Sequence, residues 1–128
     1  MIRLGVIGCG RIGRVHVDSI AAHPRAELAC VCDPIASAAA EVAAQFDTVA
    51  VDVETLLADE SVDGVVVSSP TPTHVDLLTR AVHAGKAVLC EKPIDLDIGR
   101  VDECWAAIKE ADSVVMVGFN RRFDPTFR

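Results

Sequence analysis

Hydrophobic and polar positions follow two different patterns along the 128-residue chain. Short runs rich in β-branched residues, such as residues 64–69, are apolar on both faces, which is typical of strands buried in a parallel sheet. Between these runs lie longer, alanine-rich segments whose apolar residues recur at helical spacing. The repeated order of strand and helix predicts an α/β protein with a doubly wound, mostly parallel sheet and helices on both faces.

Six strands and five helices are expected from this pattern. The strands are predicted at residues 3–7, 28–32, 48–51, 64–69, 87–90 and 114–117, and the helices at 11–22, 36–46, 53–58, 73–84 and 97–111. Gly85 should follow the end of the fourth helix as its C′ residue. Asp124 and Pro125 resemble the N-cap and first residue of a further helix.

Composition and charge narrow the possible partners. About half of the residues are hydrophobic (51%), enough for one domain with a single core. The formal charge is −7 and the largest basic cluster is the pair Arg121-Arg122, which argues against a nucleic-acid partner. No apolar run approaches the ~20 residues that span a bilayer, so membrane insertion is not expected.

The five cysteines form an odd set without a C-x-x-C pair, and the chain has no basic-then-apolar leader. A reduced, cytoplasmic protein is therefore expected. Cys30 and Cys32 should share one face of the second strand, where packing is favoured over metal or redox use. No metal site is predicted.

A glycine-rich turn joins the first strand to the first helix. Gly8, Gly10 and Gly13 have the spacing G-x-G-x-x-G, in which the first glycine allows a tight turn, the second lets backbone approach a pyrophosphate, and the third lets helix and strand pack closely. The backbone amides of Arg11 and Ile12 would then face the phosphates at the positive end of the helix dipole. Dinucleotide binding is favoured over a purely structural turn.

An acidic residue, Asp33, lies twenty residues after Gly13 at the predicted end of strand two. A carboxylate there can accept hydrogen bonds from the ribose hydroxyls of adenosine. It would repel a 2′-phosphate, and the next residue is Pro34 rather than arginine, so NAD is favoured over NADP. Capping of the second helix by Asp33 is the alternative, and both roles can coexist.

Further polar residues follow strands four and five. The segment SSPTPTH ends at His74. In one interpretation Thr71 or Thr73 caps the next helix and His74 merely lies in its first turn; in the other, His74 contacts the cofactor. The two are equally favoured. Lys92, in the segment CEKPI, could donate to a substrate oxygen, although an exposed lysine at a strand end is the more common situation. His16, His23 and His83 lie on helices away from the predicted strand ends, and a surface or packing role is expected for them.

Taken together, these segments, with EKP and VGFNRRFDPTF in the same order, resemble the Gfo/Idh/MocA family of glucose-fructose oxidoreductase, inositol dehydrogenase and related proteins. The resemblance covers essentially the whole chain. The segment VGFNRRFDPTF is especially similar to the inositol 2-dehydrogenase-like members. It implies a six-stranded Rossmann domain at residues 1–118, and a connection from residue 119 to 128 toward a second α/β domain that this chain lacks. The chain is thus expected to be an N-terminal fragment.

The resemblance also implies roles for individual residues. A cis peptide is implied at Lys92-Pro93, with Lys92 as the catalytic lysine. Asn120 is assigned to the cofactor-contacting residues and would border the substrate pocket. Arg121 or Arg122 would border the same pocket. The resemblance places Ser69, Thr71 and His74 near the nicotinamide half of the cofactor and Glu91 at the nicotinamide ribose. The other half of the cofactor would meet Gly8, Gly10, Arg11, Ile12, Gly13 and Asp33.

The function implied is an NAD-dependent dehydrogenase that acts on a polyol or sugar and forms a homo-oligomer through the second domain. The present chain should bind NAD but turn over poorly. A stand-alone NAD-binding sensor or regulatory module without chemistry of its own is the alternative, although binding alone does not require Lys92. A methyltransferase that uses S-adenosylmethionine is disfavoured, since no acidic residue precedes Gly8 and EKP would have no role.

Overall fold

A computed structural model describes residues 1–127. The strands are β1 (Ile2–Ile7), β2 (Ala26–Cys32), β3 (Val49–Ala50), β4 (Gly64–Val67), β5 (Ala87–Cys90) and β6 (Val115–Val117). The α-helices are α1 (Arg11–Ala22), α2 (Ala36–Gln45), α3 (Val53–Ala58), α4 (His74–His83) and α5 (Ile98–Ile108). Short 3-10 turns occupy Thr71–Thr73, Asn120–Phe123 and Pro125–Phe127.

All six strands form one parallel sheet in the order β3-β2-β1-β4-β5-β6. This confirms the doubly wound Rossmann architecture. The order reverses between β1 and β4, so the connections that follow these two strands leave in opposite directions. A crevice opens at such a point beyond the carboxyl ends of the strands, where ligands of this fold class bind.

Two hydrophobic cores cover the two faces of the sheet. Neighbouring residues on a strand point to opposite sides, so Val66 packs with α1 and α2 whereas Val67 packs with α3, α4 and α5. This explains why residues 64–67 are apolar at every position. Within residues 1–127, no helix is long and apolar enough to cross a membrane.

Element ends differ from expectation where a local hydrogen bond decides them. Helix α5 begins after Asp97, whose carboxylate accepts a hydrogen bond from Gly99 N at 2.8 Å, and it ends three residues earlier than predicted. Gly85 has a φ of 75° and follows α4 as predicted. Asp124 accepts a hydrogen bond from Thr126 N at 2.8 Å, but only a 3-10 turn is formed by residues 125–127.

Candidate functional site

The three glycines of the first turn differ in their surroundings. A Cβ on Gly13 would lie 1.7 Å from the carbonyl oxygen of Gly8, and a Cβ on Gly8, whose φ is 102°, would lie 2.6 Å from Ser69 N. These two glycines are therefore required by the packing of the chain itself. A Cβ on Gly10 would meet no protein atom within 4 Å, and its φ of −72° is open to any residue.

The amino end of α1 borders the open space at Gly10. The N-cap residue is Gly10, which has no side chain to cap the helix, and the first turn contains no acidic residue. Arg11 and Ile12 are exposed there. The first amides of a helix have no partner within the helix and carry partial positive charge, so this end suits an anion.

The carboxylate of Asp33 joins the end of β2 to the glycine turn. Its Oδ2 accepts a hydrogen bond from Cys9 N and its Oδ1 accepts one from Ile35 N, each at 2.8 Å. Helix α2 begins at Ala36 with Ile35 as its N-cap, so Asp33 lies two residues too early to cap it and that alternative is wrong. A carboxylate has about four lone-pair sites, which leaves Asp33 able to accept from further donors.

A cavity of about 240 Å³ lies at the carboxyl ends of β1, β2 and β3. It combines apolar walls with three carboxylates, two of which sequence reasoning missed because they follow the two-residue strand β3 rather than a recognisable motif. The lining residues are Ile7, Cys32, Asp33, Pro34, Val51, Asp52, Val53 and Glu54.

The loop after β4 is held by its own hydroxyl groups. Ser68 Oγ lies 3.1 Å from the carbonyl oxygens of Ile7 and Gly8, and so ties this loop to the glycine turn. Thr73 Oγ1 donates to Pro70 O at 2.6 Å and lies 2.6 Å from Ser69 Oγ, rather than capping α4. Thr73 is the N-cap residue of α4, one of the two expected positions, but its side chain makes no capping hydrogen bond, and the 3-10 turn Thr71–Thr73 precedes the helix.

His74 is buried, with 2% of its surface exposed, and joins two loops. Its Nδ1 lies 2.7 Å from Pro93 O, and its Nε2 lies 2.7 Å from Ser69 O. Carbonyl oxygens only accept, so both hydrogen bonds form together only when the ring carries two protons. The ring thus fixes the loop after β4 against the loop after β5, and a cofactor contact by His74 stays a prediction.

The segment after β5 places an acid and a base side by side. The Lys92-Pro93 peptide is cis, as the resemblance implies, and the Lys92 side chain is exposed. Glu91 is half-buried; its Oε2 lies 3.2 Å from Lys92 N and its Oε1 lies 2.7 Å from His16 Nε2. The expectation that His16 lies away from the strand ends is therefore wrong, because this position of α1 faces the carboxyl end of β5.

The segment after β6 carries the last predicted site residues. Asn120, Arg121 and Arg122 lie exposed in the 3-10 turn Asn120–Phe123. The Arg121 guanidinium stacks over the Phe127 ring, 4.6 Å from its centroid. The structure thus brings the residues after β1, β2, β4, β5 and β6 to one edge of the sheet.

All five cysteines are buried and free. For Cys30 and Cys32 this burial agrees with the packing role that the sequence favours. Burial raises the pKa of Cys30 to about 11 and the pKa values of Cys32 and Cys90 to about 12. These groups are thiols rather than thiolates at neutral pH, and Cys30 and Cys32 both pack in the core on the α3, α4 and α5 side. Their chemistry is that of small apolar side chains.

Comparison with known proteins places this arrangement in a family. The model of an oxidoreductase family with an NAD-binding Rossmann fold, Gfo/Idh/MocA, matches residues 2–119. The chain belongs to the Gfo/Idh/MocA oxidoreductase family. The resemblance based on the glycine turn, Asp33, EKP and GFNRRFDP is thereby confirmed, as is NAD as the cofactor of the family.

Several similar members of the Gfo/Idh/MocA family are named inositol dehydrogenases. An inositol 2-dehydrogenase of Rhizobium meliloti is 42% identical over 126 residues, which cover 98% of this chain and 38% of that protein. The crystal structure of a myo-inositol dehydrogenase from Corynebacterium glutamicum is 48% identical, with a TM-score of 0.93, and the match covers 99% of this chain and 38% of that one.

A scyllo-inositol dehydrogenase from Lactobacillus casei, whose crystal structure holds NAD(H) and scyllo-inositol, is 29% identical with a TM-score of 0.90. The match covers 98% of this chain and 38% of that one. The chain therefore spans 38% of the length of each of these three relatives.

Proposed function

We propose that this chain binds NAD and forms the cofactor-binding part of a dehydrogenase that oxidises a secondary alcohol of a polyol or sugar, as in inositol 2-dehydrogenases. The observation that carries the proposal is the space at Gly10. Packing within the chain explains why Gly8 and Gly13 are glycines. A Cβ on Gly10 would meet no protein atom within 4 Å, and the φ of this residue requires no glycine. A glycine there serves an approaching ligand rather than the fold.

The adenosine half of NAD fits the residues after β1, β2 and β3. The first-turn amides of α1, at Arg11 and Ile12, would hold the pyrophosphate. The carboxylate of Asp33, which the amides of Cys9 and Ile35 hold in place, would accept hydrogen bonds from the hydroxyl groups of the adenosine ribose. The cavity of about 240 Å³ beside Asp33 has apolar walls suited to an adenine ring, and its carboxylates disfavour the 2′-phosphate of NADP.

The nicotinamide half would meet the loops after β4 and β5. Ser69, Thr71 and Glu91 would contact it, with Asn120 beside them, and His74 would act through the two loops that it joins. When bound, NAD supplies the hydride acceptor at its nicotinamide ring.

Lys92 and the arginines would face the substrate. The exposed Lys92 ammonium would donate a hydrogen bond to the substrate oxygen and stabilise the negative charge that develops there as hydride leaves the carbon. An ammonium cannot accept a proton, so the proton of the hydroxyl group would pass to water. Arg121 and Arg122 would border the substrate. The chain spans 38% of the length of an inositol 2-dehydrogenase of Rhizobium meliloti, so by itself it should bind NAD with little turnover. A protein that joined this chain to the second domain implied by the resemblance should be a homo-oligomer.

Titration calorimetry with NAD tests this assignment. The Gly10→Ala chain should lose at least about tenfold in NAD affinity, because the added methyl group occupies space that the cofactor needs. Gly85→Ala is the matched control: its methyl group also meets no protein atom within 4 Å, but it lies at the end of α4, away from the crevice. Equal affinity of both variants, or no NAD binding by the unaltered chain, would refute the proposal.

A further inference from the structure

Among residues 1–127, one contact between a histidine and a carboxylate is largely buried. His16 Nε2 and Glu91 Oε1 are 2.7 Å apart, and the two side chains are only 20% and 19% exposed. In the ion pairs that Arg3, Arg14, Arg80 and Arg100 form with carboxylates, at least one side chain is 42% exposed or more. The contact joins the second turn of α1 to the end of β5, across 75 positions of sequence.

The Glu91 carboxylate is confined on several sides. Its Oε2 lies 3.2 Å from the amide of Lys92. A Cβ on Gly118 would lie 3.0 Å from Oε1 and 3.1 Å from Oε2, so the carboxylate rests against the bare backbone at the end of β6. His16 supplies the one side-chain hydrogen bond among these contacts, and its removal would free Oε1 to rotate away.

We propose that His16 is a positioning residue of the NAD site that holds the Glu91 carboxylate in the orientation in which it meets the nicotinamide ribose. The proposal rests on the proposed function. It makes α1 serve both halves of the cofactor: the first turn faces the pyrophosphate, and His16, a little further along, fixes the acid beyond β5. A carboxylate that is already oriented spares the cofactor the cost of ordering it.

A packing role is the competing interpretation, because His16 also lines an open apolar groove of about 840 Å³ beside β4 and β5. The two interpretations predict different ligand dependence. ADP contains the adenosine and pyrophosphate but lacks the nicotinamide ribose, so only NAD reaches Glu91. Loss of a packing contact would weaken the fold and hence the binding of both ligands alike.

Calorimetric titration of the 128-residue chain with NAD and with ADP separates them. His16→Ala should weaken NAD binding about three- to tenfold, the effect of leaving one side chain to be ordered on binding, and change ADP affinity less than twofold. His16→Gln keeps an amide N–H at the end of its side chain and should recover most of the NAD affinity. Urea unfolding of each variant checks that the chain is folded.

Each result has a definite consequence. Equal losses for NAD and ADP, an unchanged NAD affinity in His16→Ala, or a lack of recovery in His16→Gln would overturn the role of His16 while leaving the proposed function intact. If the unaltered chain bound neither NAD nor ADP, the proposed function itself would fail, and the positioning role would fall with it.

Discussion

The packing of α1 against the glycine turn yields a quantitative prediction for Gly13→Ala. The added Cβ would lie 1.7 Å from the carbonyl oxygen of Gly8, whereas Cβ contacts below 3.0 Å are essentially never seen. Helix α1 must therefore move by about 1.3 Å, and because the obstructing atom belongs to the backbone, no side-chain rotation relieves the clash. The movement would pull the buried residues Val17 and Ile20 away from the sheet.

We expect Gly13→Ala to lower the free energy of unfolding by about 3 kcal/mol, at the upper end of the range for overpacked sites. With an m value of about 1.5 kcal/mol/M for a domain of this size, the urea midpoint should fall by about 2 M. The assay is urea unfolding followed by circular dichroism, without cofactor, so that only packing is measured.

Two other glycines serve as controls. Gly85→Ala adds a methyl group without a neighbour but at a φ of 75°, and should cost only the backbone strain, about 1 to 2 kcal/mol. Gly10→Ala causes no backbone strain, and its methyl group has no neighbour. Alanine is a poorer N-cap residue than glycine, which destabilises the fold, but it lowers the entropy of the unfolded chain, which stabilises it. The two effects should cancel to within about 0.5 kcal/mol in the free energy of unfolding. If Gly13→Ala were no more destabilising than Gly10→Ala, the packing role assigned to Gly13 would be wrong.

Two further perturbations concern buried groups. Lys86, 5% exposed, donates to Asp59 O at 2.6 Å and Val62 O at 2.8 Å, so Lys86→Met should lower stability by about 1 to 3 kcal/mol in urea unfolding, whereas the exposed Lys109→Met should change it little. Because burial raises the pKa of Cys32 to about 12, the folded state holds this proton more tightly than the unfolded state, and stability should fall as the pH rises from about 9 toward 12. The urea midpoint measured across that interval should fall less steeply in Cys32→Ala, and an equal slope would show that the Cys32 thiol is not responsible.

The order of elements could be predicted because each one is encoded locally. The strand predicted at residues 64–69 is observed at Gly64–Val67, two residues shorter, and Gly85 follows a helix of regular period as predicted. Element ends were less accurate, since they depend on single hydrogen bonds such as the one from Gly99 N to Asp97. A run of helix formers does not reveal which of its last residues keep their backbone partners.

The contacts within the site were predicted less well because they join distant parts of the chain. The sequence places the glycine turn, Asp33 and EKP at one edge of the sheet because each lies directly after a strand. The contact of His16 with Glu91 was missed because it depends on the direction in which α1 crosses the sheet, which periodicity does not give. The position of His74 between the carbonyl oxygens of Ser69 and Pro93 likewise could not be predicted, because it depends on the loops after β4 and β5 being adjacent.

The three glycines of the motif also differ in what they reveal about function. Gly8 and Gly13 are explained by the chain's own backbone, so their presence would be expected in any protein whose first helix packs this tightly on its first strand. Gly10 has no such internal cause. The proposed cofactor role of G-x-G-x-x-G in this chain therefore depends on its second glycine and on Asp33. The Asp33 carboxylate accepts a hydrogen bond from the amide of Cys9, between the first two glycines. This contact ties the shape of the turn proposed to hold the phosphates to the residue proposed to recognise the ribose.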